Sequence, residues 1–187
     1  NMQKDVGKKI KASVMMITLV VVLFIPFVNL NTGNIVTQSA RDNIHWWNPD
    51  WSNRKLIVID HTKVSANLIN FPILLSRTSD ADLADAAQNT GQDIAFILYS
   101  DNITKLNHEI EFFNHTNGQL IAWVNMTTVS STSDTKLWMY YVNTNCSDQQ
   151  QVEDTWDSNF LAVQHLEEIA GTIYDSTTYN HDATHYG

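Results

Sequence analysis

Trp46, Trp47 and Trp51 fall close together in His45-Trp46-Trp47-Asn48-Pro49-Asp50-Trp51-Ser52-Asn53-Arg54-Lys55, directly ahead of the apolar run 56–59. Each indole can remove roughly 150 to 250 Å² from water, too much apolar surface for a solvated linker. The stretch therefore reads as the lock of a folded domain. Behind it come short runs at 56–59, 71–75, 94–99, 108–113, 120–126 and 137–142, rich in β-branched and aromatic residues. Polar turns such as Asp101-Asn102 and Asn117-Gly118 separate them. Short strands at close spacing predict a mainly β chain, an antiparallel β-sandwich of jelly-roll type. Pro72 suits a strand entrance or a sheet edge, because it has no N–H to give to a ladder. In Leu137-Trp138-Met139-Tyr140-Tyr141 both faces are apolar, which predicts a central strand. One side of it would be covered by the other sheet, the second by the tryptophans or a helix. Only between 80 and 88 does the spacing turn helical, with Leu83, Ala84 and Ala87 on one side and Asp80 or Ser79 as N-cap.

The N-terminal part reads differently. Lys4, Lys8, Lys9 and Lys11 precede 14–28, an apolar run interrupted by Thr18 and Pro26. A basic segment leading into an apolar one describes a secretory signal or a retained membrane anchor, so 1–30 is expected to be a signal or anchor helix meeting the membrane through 12–30. Thr37-Gln38-Ser39 and Gln38-Ser39-Ala40 are the small-x-small cleavage candidates. The polar stretch 31–44 reads as a linker. Lysines on the N-terminal side place the chain from about Asn31 onward outside the membrane, so the expected location is the cell surface or the extracellular space, anchored or secreted. Asn1 ahead of Met2 suggests a piece of a longer reading frame.

Charge narrows the partners. A net charge of -9 argues against nucleic acid and leaves neutral glycans or other surface proteins. Cys146 is the only cysteine, so no internal disulfide can form, and it reads as a bystander thiol.

Several blocks in order carry a resemblance. Trp46-Trp47-Asn48-Pro49-Asp50-Trp51-Ser52, Phe71-Pro72-Ile73-Leu74-Leu75, Asp80-Ala81-Asp82-Leu83-Ala84 with Gln92-Asp93-Ile94, Leu106-Asn107-His108-Glu109-Ile110-Glu111, Ala122-Trp123-Val124 and Trp138-Met139-Tyr140-Tyr141-Val142-Asn143 resemble the family called domain of unknown function 2341, over about 45–145. Its last block reads Tyr-Tyr-Gly-Asn, and Val142 stands here where that pattern has glycine. A second set, Val152-Glu153-Asp154-Thr155-Trp156-Asp157-Ser158-Asn159-Phe160, Ala162-Val163-Gln164-His165-Leu166 and Gly171-Thr172-Ile173-Tyr174-Asp175-Ser176 with Asn180-His181-Asp182-Ala183-Thr184, resembles the start of a concanavalin A-like, laminin-G-type jelly roll. These resemblances imply two units, a β-sandwich over 45–147 and a truncated lectin-like start over 148–187. They also imply an exported, non-enzymatic surface module, adhesive or carbohydrate-binding together with its lectin-like neighbour. A structural spacer on the envelope, or an accessory domain of a surface hydrolase, is the alternative.

No catalytic constellation is expected. Glu109 and Glu111 lie on one side of a strand, whereas a glycosidase pair spans a cleft, so they read as a solvated face. Asp80, Asp82, Asp93 and Asp101 are the only candidates for a Ca²⁺ ligand set, but they lack EF-hand spacing and suit helix capping and turns; no cofactor is otherwise expected. Histidines 45, 61, 108, 115 and 165 show no zinc spacing. Trp123, Trp138 and Tyr140 are the candidate glycan-stacking rings, with core packing as the competing role for the two tryptophans. Asn102, Asn114, Asn125 and Asn145 head glycosylation sequons, in a number that composition alone produces.

Overall fold

A computed structural model of the chain describes residues 46–185. The expected signal or anchor over 1–30, the linker over 31–44 and His45 lie outside those residues. Among the described residues no helix is long and apolar enough to cross a membrane.

The elements run β1 (Asn53–Ile59), β2 (Leu68–Arg77), α1 (Ala81–Ala86), β3 (Ala95–Leu98), β4 (Lys105–Leu106), β5 (His108–Asn114), β6 (Gln119–Val129), β7 (Thr135–Tyr141), α2 (Val152–Thr155), β8 (Thr172–Ile173) and β9 (Ala183–Thr184). They form a sheet in the order β1-β7-β3-β4, a second in the order β2-β6-β5, and the pair β8-β9. All pairings are antiparallel. The protein is mainly β with few, short helices. Pro72 sits within β2 rather than at its start, opposite Asn125, and β2 is a sheet edge as its proline requires.

Alternation along β7 organises the core. Leu137, Met139 and Tyr141 point one way, into a cluster with Ile57 and Ile59 of β1, Phe96 of β3, Ile73 and Leu75 of β2, and Leu120, Ala122, Val124 and Met126 of β6. Both larger sheets thus feed one apolar core, in which each buried Leu, Ile or Val contributes roughly 1.5 to 3 kcal/mol. Trp138 and Tyr140 point the other way, where Tyr140 joins Trp51, Ala95 and Ile97 beneath Trp46 and Trp47. The two-faced strand is central, and the tryptophans cover its second face as the sequence predicts.

Polar atoms in this second layer are satisfied. Trp51 donates its indole N–H to Asp93 O at 2.6 Å, and Trp46 donates to Trp51 O at 2.8 Å. The Tyr140 hydroxyl accepts from Trp47 N at 3.0 Å and Arg54 Nη1 at 2.9 Å. The Arg54 guanidinium lies 4.0 Å from the Trp138 ring centre and 4.7 Å from that of Trp46. Charged Arg54 therefore belongs to β1, which starts earlier than the apolar run 56–59 indicates.

Asp93 and Asp80 fix the ends of the elements. Buried Asp93 accepts from Gln88 N at 2.9 Å, Val142 N at 2.8 Å and Asn143 N at 3.2 Å. Val142 has φ 69°, a left-handed conformation that a β-branched residue rarely takes. Asp93 holds its N–H, and Ser52 N donates to its carbonyl at 3.0 Å, so the turn survives without glycine. Asp80 caps α1 by accepting from Asp82 N and Leu83 N, and pairs with Lys55 and Arg77. The capped end lies on the β5–β6 turn, where Gly118 has φ 68° and a Cβ would stand 1.9 Å from Asp80 O.

This packing generates three expected outcomes. Trp51→Ala should cost about 3 to 5 kcal/mol in denaturant unfolding, since the indole is buried and its N–H bonded. Gly118→Ala should destabilise more than Gly171→Ala. Both carry a positive φ, worth about 1 to 2 kcal/mol for an L-residue, but only the first meets backbone. His108 faces the core against Phe96, and burial pushes its pKa down to about 4. Its folded value lies below the unfolded one, so the stability it carries is full above about pH 6.5 and is lost toward about pH 4. Across that interval wild type should lose about 3 kcal/mol more than His108→Leu in unfolding titrations.

Candidate functional site

The outer face of β2-β6-β5 carries the densest polar cluster. Glu109 pairs with Trp123, Ile110 with Ala122 and Phe112 with Ile121, so Glu111 is the extra residue of a β-bulge. Alternation sets Glu111 beside Glu109 on the outer side, and the bulge returns Phe113 to the core. Trp123 donates its indole N–H to Glu111 Oε2 at 2.7 Å.

This face is not open to water. From β7 the chain runs along the free edge of β5, with Gln151 N donating to His108 O at 3.0 Å and Ile110 N donating to Gln150 Oε1 at 2.6 Å. After α2 it folds over the sheet. Buried Trp156 donates to Glu109 Oε2 at 2.7 Å, and its ring centre lies 5.2 Å from that of Trp123. Ser176 donates to Glu109 Oε1 at 2.6 Å. His165 lies between the carboxylates, its Nε2 3.1 Å from Glu109 Oε1 and its Nδ1 3.3 Å from Glu111 Oε2. Burial pushes the His165 pKa down, but the hydrogen bond and charge of Glu109, with the charges of Glu111 and Glu167, outweigh it and hold the pKa above the usual value.

The solvated-face reading of Glu109 and Glu111 is thus corrected: Glu109 is 6% exposed and takes donors on both oxygens. The two carboxylates do share a side, as a two-residue period requires. Trp156, His165 and Ser176 were missed as their partners because the blocks holding them resemble the start of another domain. The same loop is tied to itself by Asp175, which accepts from Val163 N, Thr177 N and His181 N. Burial raises the Asp175 pKa, but these N–H groups outweigh it and hold the carboxyl below the usual range.

A second surface lies on the outer face of β1-β7-β3-β4, below the tryptophan plug. Leu56, Trp138 and Ile97 form one row across the sheet, and Val58 and Lys136 sit in the next. Tyr99, 43% exposed, comes directly after β3, its ring centre 5.5 Å from that of Trp138. Lys136 Nζ lies 5.4 Å from the Tyr99 ring centre. This half-exposed shelf joins two aromatic rings to an ammonium donor, a chemistry suited to sugar rings and their hydroxyls.

Of the expected stacking residues, Trp138 belongs to this shelf. Trp123 lies under Trp156 and His165. Tyr140 is corrected from platform to core, because its ring is 0% exposed beneath the plug. The four aspartates do not gather into one set: Asp80 and Asp82 share Lys55, the latter at 2.8 Å, Asp93 holds the turn at Val142, and Asp101 accepts from Ile103 N and Thr104 N. Among the described residues one group, Asp60, His61 and Asp134, brings three metal-ligating atoms within 4.8 Å of one another. His61 already spends its Nδ1 and backbone N on Asp134 Oδ1. Asn145 is exposed, Asn102, Asn114 and Asn125 half-buried, and Asn125 lies in β6 on the face that carries Trp123.

No curated protein and no solved structure matches the chain. A family model described as Domain of unknown function (DUF2341) matches residues 90–182. The match lies further along the chain than the blocks of 45–145 suggest, and it takes in the loop over 156–176 that resembles a lectin-like start. The stretch from the turn before β3 to the end of the loop after β8, with Glu109, Glu111, Trp156 and His165 inside it, is therefore similar to one family of unknown function.

Proposed function

We propose that the chain is a non-catalytic binding module of an exported cell-surface protein, its two larger sheets stacked as a jelly-roll-like sandwich, and that it takes neutral glycans at the Tyr99–Trp138 shelf. The observation that carries this reading is the exposed Tyr99 ring beside the half-buried Trp138 and Lys136, on a sheet face that the tryptophan plug covers only in part. Ring faces offer stacking that tolerates many sugars, and the ammonium offers hydrogen bonds to hydroxyls. A platform of this size supports weak binding, in the millimolar range or about 4 kcal/mol. The lectin-like resemblance of 148–187 is not needed for it.

A structural spacer is the second reading. It is favoured by the chain's use of its own segments against both outer sheet faces, the plug on one and the loop over 156–176 on the other.

Calorimetric titration with neutral oligosaccharides separates the two. The binding reading expects millimolar affinity, reduced about tenfold or more, which is 1.4 kcal/mol, by Trp138→Ala or Tyr99→Ala and unchanged by Trp123→Phe. Equal weak heats from wild type and both shelf variants would leave the spacer.

A further inference from the structure

We propose that the loop over 156–176 is a strap that stays closed over the β5–β6 face only while His165 carries both ring protons between Glu109 and Glu111, and that loss of one proton opens it. This inference is independent of the glycan reading, whose shelf lies on the other sheet.

The geometry sets up the latch. Each ring nitrogen of His165 lies at ion-pair distance from a different carboxylate, Nε2 3.1 Å from Glu109 and Nδ1 3.3 Å from Glu111, and Nε2 is buried without an aligned hydrogen-bond partner, so charge attraction rather than a directed bond holds it there. An imidazolium donates from both nitrogens, whereas neutral imidazole has one N–H and turns a lone pair toward the other carboxylate. The remaining surroundings strengthen this dependence. The charged groups acting on His165 are Glu109 and Glu111 from β5 and Glu167 and Glu168 from its own loop, all acidic. β6 and the end of α2 turn neutral indoles, Trp123 and Trp156, toward it. Its side chain is only 15% exposed, so water cannot readily replace the lost N–H donor.

Closure also uses the Trp156 ring, buried and packed on Trp123. Trp156 and Ser176 both fasten to Glu109, the carboxylate that His165 neutralises, so its three strap partners share one anchor. Around the strap, Leu161, Leu166, Ile169 and Tyr174 are exposed and hold nothing down. Asp175 ties the loop to itself through backbone donors, and its depressed pKa keeps that tie intact wherever His165 titrates. The strap can therefore leave the sheet as a formed loop while the core strands stay paired.

The sign is fixed by the raised pKa of His165. Closure is full below the unfolded value of about 6.5 and is lost as pH rises through the folded one. Amide hydrogen exchange on the chain, corrected for intrinsic rates, would be followed from about pH 6 to pH 9, alongside the His165 ring signals in nuclear magnetic resonance. Strap amides should lose about tenfold or more of their protection, 1.4 kcal/mol or more, at the pH where the ring titrates, with β6 amides unchanged. His165→Gln should leave the strap unprotected throughout with β6 still protected. His165→Lys should hold it closed to higher pH, because an ammonium keeps its proton longer. Glu111→Gln should move the transition to lower pH. Strap protection that stays flat in wild type while the ring titrates would overturn the proposal, as would wild-type pH dependence in His165→Gln. Should His165→Gln lose β6 protection as well, His165→Lys and the wild-type ring titration decide.

Discussion

The structure depends on a strand that must be buried on both faces. Leu137, Met139 and Tyr141 demand one apolar partner and Tyr140 another, so β7 cannot lie at a sheet edge. The first demand brings β2 and β6 across the core. The second is met by local sequence: Trp46, Trp47 and Trp51 fold back from just ahead of β1, the strand paired to β7, so the plug needs almost no chain to reach its seat. Aromatic burial on this scale leaves polar atoms to satisfy, and Asp93 O, Trp51 O and the Tyr140 hydroxyl meet them.

Two buried carboxylates then do different work with the same chemistry. Asp93 receives backbone N–H groups, which cannot lose their protons, and so holds a permanent turn at Val142. Glu109 receives side chains that arrive from far along the sequence, one of them an imidazole. A backbone donor set makes a fixture, and a set that includes a titratable ring makes a closure that depends on a proton. The difference lies in the donors rather than in how deeply the acids are buried.

The parts legible in the sequence are those governed by short-range periodicity. The runs at 71–75, 108–113 and 120–126 lie within strands, 137–142 does so up to Tyr141, and Asp80 caps the helix bearing Leu83. Elements without a period were not legible: Lys105-Leu106 is too short to alternate, and Asn53, Arg54 and Lys55 are polar residues ahead of the apolar run that join β1 once the Arg54 guanidinium stacks on Trp138. The site was half legible. Two-residue alternation put Glu109 and Glu111 on one side, but nothing local shows that Trp156 and His165 return to cover them. Contacts separated by 47 to 67 residues leave no trace in a window of neighbours. Tyr140 failed as a platform for a related reason, since alternation tells which face a ring takes and not whether that face is already covered.

The two outer faces of the sheets are closed by opposite physics. The plug is held by indole packing, by cation–π contact with Arg54, and by hydrogen bonds from indole, backbone and guanidinium N–H groups. The strap is held by a carboxylate pair and the one histidine in it, whose pKa those carboxylates raise. A module built this way keeps its core and one face constant while the other face varies. The variable face is the one whose closing residues lie within the stretch matched to the family of unknown function. Two-residue alternation along β5 is what makes that variation possible, because it sets Glu111 on the same side as Glu109 and so offers His165 two carboxylates, where a single one could be satisfied by one N–H of a neutral imidazole.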